Sequence, residues 1–292
     1  MTDRERAGAA GSWRTARGWV DLGRPVVVGI LNVTPDSFWD GGRYAGLDAA
    51  LAAAEGMLGA GADAIDLGGE STRPGARAVA ASEEMARILP VLRELVRRWP
   101  TVPITIDTVK AEVARAALEE GAAGINDVSG LRLDPAMAEV VAGAGAGLVI
   151  MHSRGPVERM ARYEMAQYGP DPVGDVVAEL AAARDRALEA GVHRDAIVLD
   201  PGLGFSKRTE HSVAMLAHLD RIIALGHPVL IGPSRKRFIG ELGGGLPVDQ
   251  RLEGTIAACV FGLLRGARLF RVHDVGAIRR ALDVAESLRT TP

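Results

Sequence analysis

Two carboxylates, an amide and a lysine, Asp107, Asn126, Asp200 and Lys236, each follow closely on a short apolar run. Brought together they could grip a flat heterocycle. The carboxylates would accept from an amidine-like donor edge, while the amide and ammonium address ring acceptors. Taken singly, each has a plainer use: Asp107 or Asp200 could cap a following helix, Asn126 could satisfy loop backbone, and Lys236 could be a solvated charge. A second set is Asn32, Arg271 and His273. An amide oxygen, a guanidinium and an imidazole suit a phosphate or diphosphate with its Mg²⁺, unless Arg271 merely pairs with Asp274 at the rim. The glycine- and proline-bearing stretches DPGLGF (200–205) and GPSRK (232–236) let a ligand approach backbone closely, with Phe205 as an aromatic wall. His152 reads equally as a satisfied rim histidine or as a ligand contact.

These groups need a frame, and the apolar runs supply one. Val26–Leu31, Ala64–Leu67, Val102–Ile106, Gly124–Ile125, Leu148–Met151, Ile197–Leu199, Val229–Ile231 and Leu269–Val272 read as eight strands. Between them lie Ala/Leu/Glu/Arg-rich stretches with helical spacing, near 46–59, 82–98, 111–120, 134–143, 174–190, 209–225, 249–265 and 274–289. Strand and helix alternating eight times predict an α/β protein, a single (β/α)₈ TIM barrel, whose site sits at the C-terminal strand ends. Closure of such a barrel brings the first and last strands together, so Asn32 meets Arg271 and His273. Ser82 is expected to cap the second helix, and Asp134-Pro135 to open the fourth. Gly61, Gly121, Gly191, Gly226 and Gly266 fall where a left-handed residue ends a helix. Gly143–Gly147 precedes a strand rather than following one, which excludes a dinucleotide-binding loop.

The bulk properties agree. The 292 residues suit one barrel of about 250 residues (25–292) after a lead-in (1–24) that is partly disordered, with Trp13–Arg24 covering the barrel bottom. A hydrophobic share of 48% and a net charge of -3 give no reason to expect nucleic acid or membrane as partner. The start, MTDRERAGAAGSW, lacks an apolar h-region, so the cytoplasm is the expected compartment. One cysteine, Cys259, excludes an intramolecular disulfide and a cysteine metal cluster, and its apolar run predicts a packing role.

Ordered motifs then narrow the reading. GILNVTPDSF (29–38), DGG (40–42), LGGESTRPGA (67–76), TIDTVK (105–110), INDVSG (125–130), MH (151–152), LDPGLGF (199–205), GPSRK (232–236) and RVHDV (271–275) together resemble the dihydropteroate synthases of folate synthesis. The resemblance runs from about Val26 to Val275. It implies condensation of 6-hydroxymethyl-7,8-dihydropterin diphosphate with 4-aminobenzoate, requiring Mg²⁺, by a homodimer. By position, it assigns the pterin to Asp107, Asn126, Met151, Asp200, Lys236 and Arg271. It assigns the diphosphate to Asn32, Thr72, Arg73, Arg271 and His273, with Asn32 also at the metal. The aminobenzoate falls to Phe38, Thr72, Pro74, Phe205, Lys236 and Arg237. Asp36, Arg73, Asp107, Asp200 and Lys236 are the groups implied in catalysis.

Three positions depart from the family pattern. Ser153 stands where methionine is common, Ser206 where glycine is common, and Arg237 where many members carry a small hydroxyl residue. Arg237 either pairs with the aminobenzoate carboxylate or points to solvent. A weakly nucleophilic aromatic amine requires an electrophile that ionises first, so the resemblance implies a dissociative, SN1-like substitution without an enzyme nucleophile. The loops 33–45 and 71–81 are long, and are expected to assemble the aminobenzoate site only after diphosphate binds. Two rival readings are a pterin-dependent methyltransferase, which has no need of the diphosphate end, and a paralogue that binds pterin or phosphate without turnover.

Overall fold

The computed structural model describes residues 11–33, 43–70 and 79–291. A short antiparallel hairpin, β1 (Ser12–Thr15) and β2 (Gly18–Asp21), leads into β3 (Val26–Asn32). Then α1 (Arg43–Gly59), β4 (Ala64–Gly68), α2 (Ala81–Arg98), β5 (Ile104–Asp107), α3 (Ala111–Glu119), β6 (Gly124–Asp127), α4 (Met137–Gly143) and β7 (Gly147–Met151) follow. The second half runs through α5 (Pro172–Glu189), β8 (Ile197–Asp200), α6 (Thr209–Ala217), α7 (Leu219–Ile223) and β9 (Leu230–Ile231). It ends with α8 (Arg237–Leu242), α9 (Leu252–Leu264), β10 (Leu269–Val272) and α10 (Val275–Thr290).

Strands β3 to β10 form one parallel sheet in the order β8-β7-β6-β5-β4-β3-β10-β9. A bridge from Leu199 to Val229 joins β8 back to β9 and closes the barrel. All eight expected strands are present, and the (β/α)₈ reading holds. Alternation along each strand divides the core. Outward residues such as Val27, Ile65, Ile106, Ile125, Ile150 and Leu199 pack under the helices. Inward residues Val28, Ala64, Val149, Val198, Leu230 and Leu269 fill the lower barrel around Trp13. The β1–β2 hairpin thereby plugs the bottom. Trp13 is 1% exposed, its indole N–H donates to the Ala196 carbonyl at 2.8 Å, and its ring lies against Gly147 where no side chain fits.

The joint glycines Gly61, Gly121, Gly191, Gly226 and Gly266 all take φ between 80° and 99°, as the sequence requires of a helix end that must turn sharply. Four local expectations need correction. Helix α2 starts at Ala81 behind Ala80 with no side-chain cap, so Ser82 lies inside its first turn. Helix α4 begins at Met137, also uncapped. Asp134 accepts from the Ala136 N–H at 3.0 Å in the turn before α4, and its other oxygen from the Ala111 N–H at 2.8 Å at the start of the neighbouring α3. The stretch 209–225 breaks at His218 into α6 and α7, and the short α8 precedes α9. Cys259 is fully buried, and burial pushes its thiol up to about 12, which leaves it inert. Among the described residues no helix is long and apolar enough to cross a membrane.

Candidate active site

Above the apolar plug, the inward positions of the strands turn polar within one layer. Asp66, in the middle of β4, is 1% exposed and accepts hydrogen bonds from Thr105 Oγ1 at 2.5 Å and Asn126 Nδ2 at 3.0 Å. The guanidinium of Arg271, on β10, donates Nε to Asp66 at 2.5 Å and a terminal nitrogen to Asp107 at 2.7 Å. Two buried carboxylates are thus bridged by one planar fork, with a separate nitrogen for each. Asp66 is the residue that sequence reasoning missed. Its signal was present, a carboxylate inside an otherwise apolar strand, but it sits among the residues of the run rather than after it.

This floor leaves defined groups facing the mouth. Because the Asn126 NH₂ must donate to the Asp66 carboxylate, the amide oxygen is turned away from it. That oxygen is buried without a hydrogen-bond partner among the described residues. Asp200 ends β8, and its Oδ1 accepts from the Gly202 N–H at 2.7 Å. Burial pushes its carboxyl up to about 6, against the opposing pull of the Gly202 N–H and of Lys236. Asp107 is raised as well, by burial and by Asp66, with Arg271 opposing. Burial and the charge of Arg271 bring Lys236 down to about 7, while Asp200 and Asp107 hold it up. Each of the four groups named from sequence therefore stands at the same mouth, within electrostatic reach of another or of the Asp66–Arg271 floor.

One wall is aromatic. Phe205 is buried with Met151, Val109, Val128 and Met160 in a small apolar cluster. The Lys236 ammonium lies 3.6 Å from the centre of the Phe205 ring. Gly202 and Gly204, at φ of 67° and 74°, carry the loop past this wall. A Cβ at Gly204 would meet Lys236 Cδ at 3.3 Å.

The opposite rim joins β3 and β10, which pair with Val28 beside Arg271. Asn32 pairs with Gly68, and its Oδ1 is 3.1 Å from where a Gly68 Cβ would stand, so glycine there leaves the amide room. Ser234 Oγ accepts from the His273 N–H at 3.2 Å and lies 3.0 Å from His273 Nδ1. Either the hydroxyl or the ring nitrogen can donate in that contact. Burial and the charges of Arg271 and Arg235 push His273 down to about 4, so at neutral pH it offers an N–H rather than a full charge. Arg271 does not pair with Asp274; Arg235 takes that partner at 2.5 Å.

Some expected groups stand elsewhere. Arg237 is exposed, lies over the Tyr163 ring at 3.2 Å and approaches Glu241, outside the polar cluster. His152 has both ring nitrogens occupied, by Lys207 and Glu179. Asp36, Phe38, Thr72, Arg73 and Pro74 lie outside the described residues, as does most of the two loops expected to assemble around diphosphate. Among the described residues no three His, Cys, Asp or Glu side chains are grouped to hold a metal. A lone Asn32 oxygen nevertheless suits Mg²⁺, which keeps waters and takes phosphate oxygens rather than a full protein cage.

Comparison with known proteins places the chain in a family. The family described as pterin binding enzyme matches residues 28–273. A dihydropteroate synthase of Mycobacterium leprae is 47% identical over 263 residues, covering 88% of this chain and 91% of that protein. The same organism's inactive dihydropteroate synthase 2 is 43% identical over 272 residues, covering 92% of each chain. The solved structure of Xanthomonas albilineans dihydropteroate synthase with 4-aminobenzoic acid superposes with a TM-score of 0.86 at 44% identity, covering 94% of this chain and 96% of that one.

Proposed function

The chain belongs to the pterin-binding enzymes, among the dihydropteroate synthases, and from that premise we propose that it joins 6-hydroxymethyl-7,8-dihydropterin diphosphate to 4-aminobenzoate, releasing diphosphate. The observation that carries the reading is the polar mouth itself. It presents two carboxylates with raised pKa, an orphaned amide oxygen and a lysine over an aromatic face. That set matches a flat heterocycle with both donor and acceptor edges.

The chemistry follows from charge. The methylene carbon–oxygen bond to diphosphate breaks first, the ring system carries the positive charge, and the amine nitrogen then bonds to the methylene carbon and gives up a proton. Asp107 and Asp200 favour that cation electrostatically. Arg271, through the terminal nitrogen not engaged by Asp66 or Asp107, and the His273 ring would face the departing diphosphate. Asn32 would hold Mg²⁺, which when bound absorbs charge developing on the leaving group. Homodimer assembly and a cytoplasmic setting complete the reading. Val213, Leu242, Phe261 and Leu264 expose apolar side chains on α6, α8 and α9, and the single cysteine is a buried free thiol.

A coupled assay for diphosphate release tests the reaction. Binding of the pterin without release would leave the non-catalytic paralogue standing, and methyl transfer from methyltetrahydrofolate would favour the methyltransferase. Two further outcomes are expected. Asp200 becomes protonated as pH falls through about 6 and then loses the charge, and one of the two acceptor oxygens, with which it meets the ligand's donor edge. Pterin affinity measured by calorimetry should therefore drop on the acid side of that value, and the dependence should flatten in Asp200→Asn. An unchanged profile in the variant would remove Asp200 from the contact. For Asn32→Ala, the Mg²⁺ concentration giving half-maximal diphosphate release should rise about tenfold, ~1.4 kcal/mol of lost metal binding. An unmoved midpoint would place the metal elsewhere.

A further inference from the structure

Directly after Phe205 the chain buries two polar residues that the reaction itself does not use. Ser206 is fully buried and holds a left-handed φ of 49°, a conformation that favours glycine. Its atoms are bound on every side. Oγ accepts from the Arg154 N–H at 2.8 Å and lies 2.9 and 3.0 Å from the Arg154 and Met160 carbonyls. Its N–H donates to Met160 at 2.5 Å, and its carbonyl accepts from the Tyr168 hydroxyl at 2.8 Å. Lys207 is 1% exposed, and its ammonium reaches His152 Nδ1 at 2.8 Å, the Phe205 carbonyl at 3.1 Å and the His152 carbonyl at 3.4 Å. Burying an ammonium is costly unless its protons are taken. Here all three are, and none goes to a carboxylate among the described residues.

The network continues outward through His152. With Nδ1 accepting from Lys207, the ring proton lies on Nε2, which donates to Glu179 of α5 at 3.1 Å. Glu179 also pairs with Arg154, whose guanidinium lies 4.1 Å from the centre of the Tyr168 ring. Inward, the next residue is Phe205, whose ring face carries Lys236. A slip of the loop after β8 would therefore move the aromatic wall away from Lys236, whose own backbone is held after β9 by its N–H donating to the Pro233 carbonyl.

We propose that Ser206 and Lys207 are positioning residues, forming with His152, Arg154 and Glu179 a buried latch that holds Phe205 under the Lys236 ammonium. This rests on the proposed synthase reaction for its kinetic readout and on the geometry alone for its structural one. Ser206→Gly removes the hydroxyl where the backbone already favours glycine, so the fold should persist. Lys207→Met keeps most of the buried volume and removes the donors.

In Lys207→Met KM for 4-aminobenzoate should rise at least tenfold, more than kcat falls, while pterin binding by calorimetry stays within threefold; Ser206→Gly, which installs the residue common in the family, should raise the same KM by about threefold. The amides of residues 205 and 206 should exchange hydrogen at least tenfold faster than in the parent protein. Equal losses of pterin and aminobenzoate affinity would overturn the latch, as would an unchanged aminobenzoate KM with unchanged exchange. If Lys207→Met fails to fold, Ser206→Gly decides alone. A parent protein without diphosphate release would refute the reaction, and hydrogen exchange would then decide the latch independently.

Discussion

Replacing Arg271 with alanine is expected to lower kcat/KM for the pterin diphosphate by about a thousandfold, ~4 kcal/mol of transition-state stabilisation. Part of that loss is the cation facing the leaving group. The larger structural part is what remains behind. Asp66 and Asp107 each take a nitrogen of the same guanidinium, and without it two carboxylates stand unpaired at the barrel centre. Breaking a buried pair this way typically costs about 3–5 kcal/mol of stability, so the melting temperature should fall as well. Free pterin should also bind more weakly, because Asp107 and Asn126 share this floor with Arg271. Arg271→Lys restores charge but replaces the planar fork and its separate nitrogens by a single ammonium on a shorter reach, and should recover only a fraction of turnover. Normal pterin affinity in Arg271→Ala would show that the arginine serves the diphosphate alone.

Trp13→Ala should be the most destabilising single substitution at the opposite end of the barrel, by about 3–5 kcal/mol. The indole fills the lower barrel among Val28, Val149, Val198 and Leu269, and its N–H satisfies the Ala196 carbonyl. Truncation removes apolar burial, opens a void and strands an acceptor together. Chemistry sits at the other face of the barrel, so kcat/KM below the melting transition should stay within threefold. Denaturant titration beside steady-state kinetics checks both halves. A large kinetic defect in a folded variant would mean that the plug sets the polar floor directly above it.

The eight strand positions and the αβ joints were legible because their signals are local. An apolar run ended by a polar group, and a glycine where the helix must reverse, each depend on neighbours in sequence. Asp107, Asn126, Asp200 and Lys236 could be placed at one mouth for the same reason: each stands at or just past a strand end, and barrel symmetry does the rest. Cys259 was legible as packing from its apolar surroundings.

The pairings were not legible, since they depend on register and closure. Arg271 meets Asp66 and Asp107 across 205 and 164 residues, and nothing local favours them over Asp274, three positions away. Asp134 also satisfies the start of the helix before its own, because α3 and α4 pack side by side, and proximity of that kind has no signature in spacing. Nothing in the sequence around Lys207 marks it for burial. Only the folded loop shows it enclosed, because burial of a charge is settled by which donors and acceptors the tertiary structure brings to it. The sequence by itself determined the barrel and which residues reach its mouth. The tertiary structure alone decided which of those charges neutralise one another and which are left for a ligand.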